Sequence, residues 1–222
     1  MTPTEVMAAL KRKGSAQVRK IWRRHGAKEP MFGVKFADLY ALRKRIGSDG
    51  ALAEALWKTG NADARNLALL VAEPATAPLA RWGRELDWSS HAGLLADLAA
   101  KTSHAAKLQK AWSASTGDLL ASAGWATLCA RLKLKSPVAD AEGRAALKAI
   151  EKGIPTAPNR TRHAMNMALC AVGIGMPALR KAALAAAARI GRVEVDHGET
   201  GCKTPDAAAY IAKAAQRERT SR

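Results

Sequence analysis

Apolar residues recur three and four positions apart along almost the whole chain, which is the spacing of one helix face. VMAALKRKG, ADLYALRKRIG, DGALAEALWKTG and ALRKAALAAAARIG all show it, and each stops at glycine, the usual residue just past a helix end. Thr2 before Pro3, Ser48 before Asp49, Asn61, Ser136 before Pro137 and Thr204 before Pro205 are candidate N-caps. The last three predict helices near 62–74, 137–150 and 205–217. The only short alternating run is VEV at 193–195. Trp57, Trp82, Trp112 and Trp125 lie within helical patterns and are expected in the core.

Turn signals leave short helices whose pairs recur at roughly 30–45 residues, the range of HEAT-like repeats. The expected fold is all-α, an α-α superhelix (solenoid) of HEAT-like repeats in preference to a bundle. KGIPTAPNRT, residues 152–161, reads as a loop too short for a linker, so residues 1–222 are expected to form one domain.

Composition sharpens this picture through charge. The chain has 36 Lys and Arg against 19 Asp and Glu, a net +17. Residues 1–45 hold twelve basic and three acidic residues. Such clustering favours a polyanion, because each cation placed near a phosphate releases condensed counterions. With 48% hydrophobic residues the chain is globular. No apolar run is long enough for a membrane span, and no signal-peptide pattern opens the sequence. Cys129, Cys170 and Cys202 are scattered and odd in number, so a reducing cytoplasm is the expected location. Nothing sets an oligomeric state, and a monomer is expected.

Phe32-Gly33-Val34, Asp38-Leu39, Arg43, Leu56-Trp57 and Ala64-Arg65 together resemble the N-terminal signature of HEAT-like DNA alkylation-repair proteins, the AlkD-type DNA glycosylases. VEVDHGETGCKTPDA resembles a tail found in a subset of that family. The resemblance implies a basic concave face that holds double-stranded DNA. It also implies excision of cationic N3- or N7-alkylated purines by cleavage of the N-glycosidic bond, with no metal or organic cofactor. A carboxylate would stabilise the oxocarbenium-like sugar, and tryptophan faces would support the cation.

In that family the carboxylate follows a tryptophan by four positions. Here the tryptophan matches at Trp88, and Ala92 stands where the aspartate would be. Asp87 is adjacent to Trp88, and Asp97 lies on another face of the same helix. The positions of a family arginine and a later tryptophan fall at Ser122 and Met167. Base excision is therefore placed in question while the scaffold signature stays intact. An active glycosylase using another carboxylate is one alternative, and a helical-repeat scaffold for an acidic protein is a second.

The DNA-binding candidates are Trp22, Arg23, Arg24, Lys28, Lys35, Arg43, Lys44 and Trp88, with Arg160 and Arg162 in NRTRH and Lys203 as further members. His91, His104 and His163 each stand alone and are expected to be satisfied or solvated. The segment VEVDHGETGCKTPDAAAY gathers Asp196, His197, Glu199 and Cys202, but its spacing is not that of a zinc site. Asp196 and Glu199 are candidates for a relocated carboxylate, as is Asp97. The favoured reading of the segment is an ordered turn into a helix capped by Thr204, whose free amides beside Lys203 could hold a phosphate.

Overall fold

The computed structural model describes residues 1–220. Among them are thirteen α-helices and one 3-10 turn, and no strand, so VEV is extended without pairing. The chain divides into two compact units, residues 1–103 with 198–200, and residues 104–197 with 201 onward.

The first unit holds α1 (Pro3–Lys13), α2 (Ala16–Arg24), α3 (Phe36–Ile46), α4 (Gly50–Lys58), α5 (Ala62–Val71), α6 (Leu79–Arg84) and α7 (Ser89–Ala99). The helix starts are largely those the sequence announces. Thr2 and Glu5 form a reciprocal capping box, and the Asn61 carboxamide accepts the amides of Asp63 and Ala64. Asp49, not Ser48, caps α4, accepting the Leu52 amide. Helix α5 is buried nearly all round and packs on α3, α4 and α7, as a helix with no strong polar face must. Trp57 and Trp82 stack at 4.8 Å in this core, each 1% exposed.

The second unit holds α8 (Ala105–Ser113), α9 (Asp118–Lys133), α10 (Asp140–Gly153), α11 (Asn159–Gly175), α12 (Arg180–Ile190) and α13 (Ala207–Thr220). Helix α11 is central, packing on α9, α10, α12 and α13. At Gly124, α8 and α9 approach so closely that an added Cβ would lie 2.2 Å from the Ser113 backbone nitrogen. Trp112 and Trp125 are buried as expected. Two helix starts in this unit differ from the sequence pattern. Helix α10 starts after Ala139 rather than at Pro137. Helix α13 starts after Asp206, whose carboxylate accepts the Ala209 amide at 2.8 Å.

Candidate nucleic-acid interface

In the first unit the loop before α3 is fastened from below. Asp63, fully buried in the first turn of α5, accepts the amides of Phe32, Gly33 and Val34 at 2.6, 2.9 and 2.9 Å. Charge-assisted bonds of this kind are the strong ones, and they satisfy three amides of the loop that leads into α3. Gly33 has φ +78° and lies against α2, where a Cβ would sit 2.5 Å from the Arg19 nitrogen and the Ser15 oxygen. The Phe32-Gly33-Val34 signature is thus a backbone requirement.

Trp88 departs from the expectation of a DNA-facing ring. It is 3% exposed and packs with Ala27, Met31 and Ala62, and its Nε1 donates to the His25 carbonyl at 2.9 Å. Trp22 lies 5.7 Å from it and is half-buried, donating from Nε1 to Val34 O at 3.0 Å. Both indole N–H groups are spent holding the 25–34 segment. Ala92, four residues after Trp88, is also 3% exposed.

Asp87 is spoken for as well. Its carboxylate receives Arg65 at 2.7 Å and His91 Nδ1 at 2.8 Å. His91 is fully buried, and its Nε2 faces Ala62 O at 3.0 Å, so both ring nitrogens meet acceptors. Burial works against the charged Asp87, but the His91 hydrogen bond and the charges of His91 and Arg65 outweigh it and hold the carboxyl below its ordinary value. The residue next to the missing carboxylate therefore orients the scaffold.

The basic residues of this unit fall into two groups. Arg19 and Arg23 share Glu29, at 2.9 and 2.7 Å, and these bonds draw its carboxyl down to about 2. Arg24 lies 3.8 Å from Glu199, and Lys13 pairs with Asp38 at 2.6 Å. Lys28, Lys35 and Lys44 are exposed, and among the described residues no carboxylate lies within 4.0 Å of their ammonium groups. Arg43 is fixed by its Nε bond to Leu70 O at 3.2 Å. Asp97 is exposed and lines the same groove as Arg43, Lys44 and Lys101.

The second unit repeats the fastening device with a different result. Asp118, in the first turn of α9, accepts the Arg160 and Thr161 amides at 3.1 and 2.7 Å and the Thr161 hydroxyl at 2.8 Å. It caps α11, whose own N-cap residue is Pro158. One face of α11 then binds the family-type tail. Asn159 exchanges two bonds with the Asp196 backbone, at 2.6 and 2.8 Å. Arg162 donates to Glu194 O and Ala157 O at 3.3 and 2.9 Å, so its guanidinium is committed to carbonyls rather than presented to phosphate. Asn166 donates to Pro205 O at 2.9 Å.

Thr204 is not the helix cap. Its hydroxyl lies 3.0 Å from His163 Nδ1 and 2.9 Å from His197 Nε2, with the two rings at 5.3 Å. Burial, then the charges of His197 and Arg160, hold the His163 imidazole below its ordinary value. At the helix start where an anion beside Lys203 was expected, the Asp206 carboxylate accepts the Ala209 amide. Asp196 meets α11 through its backbone, and Glu199 is exposed beside Arg24. Among the described residues no group of three or more His, Cys, Asp or Glu is arranged to hold a metal ion. Ser122 is buried with its hydroxyl donating to Leu119 O at 2.8 Å, and Met167 lines an apolar cavity with Cys129, Cys170 and Tyr210. Among the described residues no single helix is long and apolar enough to cross a membrane.

These features define an all-helical protein of the HEAT-like repeat class. A solved structure described as one of "a new family of proteins related to the HEAT-like repeat DNA glycosylases with affinity for branched DNA structures" superposes with a TM-score of 0.91 at 29% identity, over 99% of this chain and 96% of that one. The sequence matches the DNA alkylation repair enzyme family over residues 6–211, and the chain belongs to that family. The uncharacterized proteins Lin0241 of Listeria innocua and Lmo0209 of Listeria monocytogenes are each 33% identical to it over 208 residues, covering 89% of this chain and 90% of theirs.

Proposed function

We propose that the protein recognises DNA, branched DNA included, through the basic residues of its first unit, and that it does not excise bases by the family's carboxylate route. The observation that carries this reading is Ala92. The position where the family pattern has its carboxylate is apolar and 3% exposed, and the adjacent Asp87 is engaged with Arg65 and His91. Without a carboxylate facing the sugar, an oxocarbenium-like transition state gains no electrostatic stabilisation there. The net charge of +17, and Lys28, Lys35 and Lys44 with no carboxylate partner among the described residues, support binding to a polyanion. The described affinity of the solved relative supports a branched substrate. A DNA target agrees with the cytoplasmic location read from the cysteines.

A gel-shift series with a four-way junction and a linear duplex of equal length, repeated over a range of salt, tests the reading. Tighter binding to the junction and a steep fall with salt are expected. No shift of either DNA at low salt would remove the proposal. One observation favours a second reading: Asp97 is an exposed carboxylate in a groove with three cations. Release of alkylated purine that disappears in Asp97→Asn would establish it.

A further inference from the structure

The groove between α3, α5 and α7 has features that phosphate binding alone leaves unexplained. Its volume is about 790 Å³, within the size of a site for a nucleotide-sized ligand. Its apolar lining includes Leu69, Leu94 and Leu98. Arg43, Lys44 and Lys101 supply three cations against one carboxylate, Asp97. Among the described residues none of the three cations has a carboxylate within 4.0 Å.

Tyr40 also lines the groove, 50% exposed. It shares a face of α3 with Arg43 and Lys44, three and four residues on. Its inner neighbour is Phe36, whose ring centroid lies 6.1 Å away. Phe36 in turn packs 5.7 Å from Trp22, so the outermost ring is backed by a supported aromatic row. A half-exposed ring beside cations, on a rigid helix, is the arrangement that stacks a nucleobase while lysine and arginine hold its phosphates.

We infer that this groove is a subsite for an unpaired nucleotide of a DNA strand, with Tyr40 as the stacking platform and Arg43, Lys44 and Lys101 as the phosphate contacts. Within a duplex the bases already stack on each other. A frayed, single-stranded or branch-point nucleotide offers a free face and can leave the stack to reach the ring. This inference rests on the reading that the protein binds DNA, and it names the part of a branched substrate that is read.

The test uses fluorescence anisotropy with one labelled blunt duplex and the same duplex carrying a single-stranded thymidine tail. Wild-type protein is expected to bind the tailed DNA more tightly. Tyr40→Ala is expected to lower that affinity about tenfold and leave the blunt duplex unchanged, while Tyr40→Phe keeps the preference. Because Tyr40 is exposed, both variants should melt like wild type, which circular dichroism checks. If wild type binds both DNAs and Tyr40→Ala changes neither, or weakens both equally, the subsite is wrong and the DNA-binding reading survives. If wild type binds neither DNA at low salt, that reading fails and takes the subsite with it.

Discussion

Both compact units fasten a helix start with an aspartate from the first turn of a buried neighbour, but they use the nearby basic residues in opposite ways. Asp63 holds three amides leading into α3, and Asp118 holds two amides and a hydroxyl at the start of α11. In the first unit Lys28, Lys35 and Lys44 stay exposed without carboxylate partners among the described residues, whereas Lys13 is paired with Asp38. In the second, the polar face of α11 is occupied by residues 194–196 and 204–205. One device thus presents charge in one unit and docks chain in the other. A basic residue in a family motif is a phosphate candidate only when its own fold leaves terminal donors uncommitted, as it does at Arg43 and not at Arg162.

The largest effect should separate the two aspartates. Asp63→Asn replaces an acceptor by a donor facing backbone amides in a fully buried site, with an expected loss of about 4 kcal/mol. Asp118→Asn, in a half-buried site, should cost about 2 kcal/mol. Urea unfolding of both variants measures the difference, and equal losses would break the comparison.

A second experiment sets presented charge against docked charge. Replacing Lys28, Lys35 and Lys44 by alanine should lower the slope of log affinity against log salt by about 3 and weaken DNA binding about a hundredfold. Arg162→Ala should leave DNA affinity unchanged and cost about 1 kcal/mol of stability, through its lost bonds to Glu194 O and Ala157 O. A large DNA effect from Arg162→Ala would contradict the assignment.

The smallest effect is in pH. His163 has a folded value below its ordinary 6.5, so the unfolded chain takes up the proton first. Its contribution is therefore present above 6.5 and is lost as the pH falls from there through the folded value. Asp87 is lowered from 3.8, so its contribution survives to that point and is lost only as the pH falls through the folded value. The second unit should loosen first on acidification. Thermal melts at about pH 7.5 and about pH 5.5 should show the step in wild type and not in His163→Gln.

Much of the scaffold was legible in the chain. Helical spacing, the Thr2 and Asn61 caps, the stopping glycines and the four core tryptophans read directly, because each depends on neighbours within a turn or two. Asp63 was not legible. Beside Asn61 it reads as an ordinary first-turn acid, and its role depends on amides about thirty residues away. Thr204 and Asp206 are both good caps by chemistry, and only the two histidines meeting the Thr204 hydroxyl decide between them. Trp88 was expected to face DNA because the family pattern pointed there, whereas the ordinary rule for a tryptophan on a helical pattern puts it inside. The docking face of α11 did leave a signal: Asn159, Arg162, His163 and Asn166 stand at helical spacing in one run.

The most direct test of the central claim is base release measured under conditions where DNA binding is saturated. Methylated DNA, with a branch point included, is incubated with excess protein, and free N7-methylguanine and N3-methyladenine are quantified against a protein-free control. The account predicts a fully bound substrate and release no faster than the control. Protein-dependent release from bound DNA would show that the chain excises bases without a carboxylate at position 92, and would contradict it.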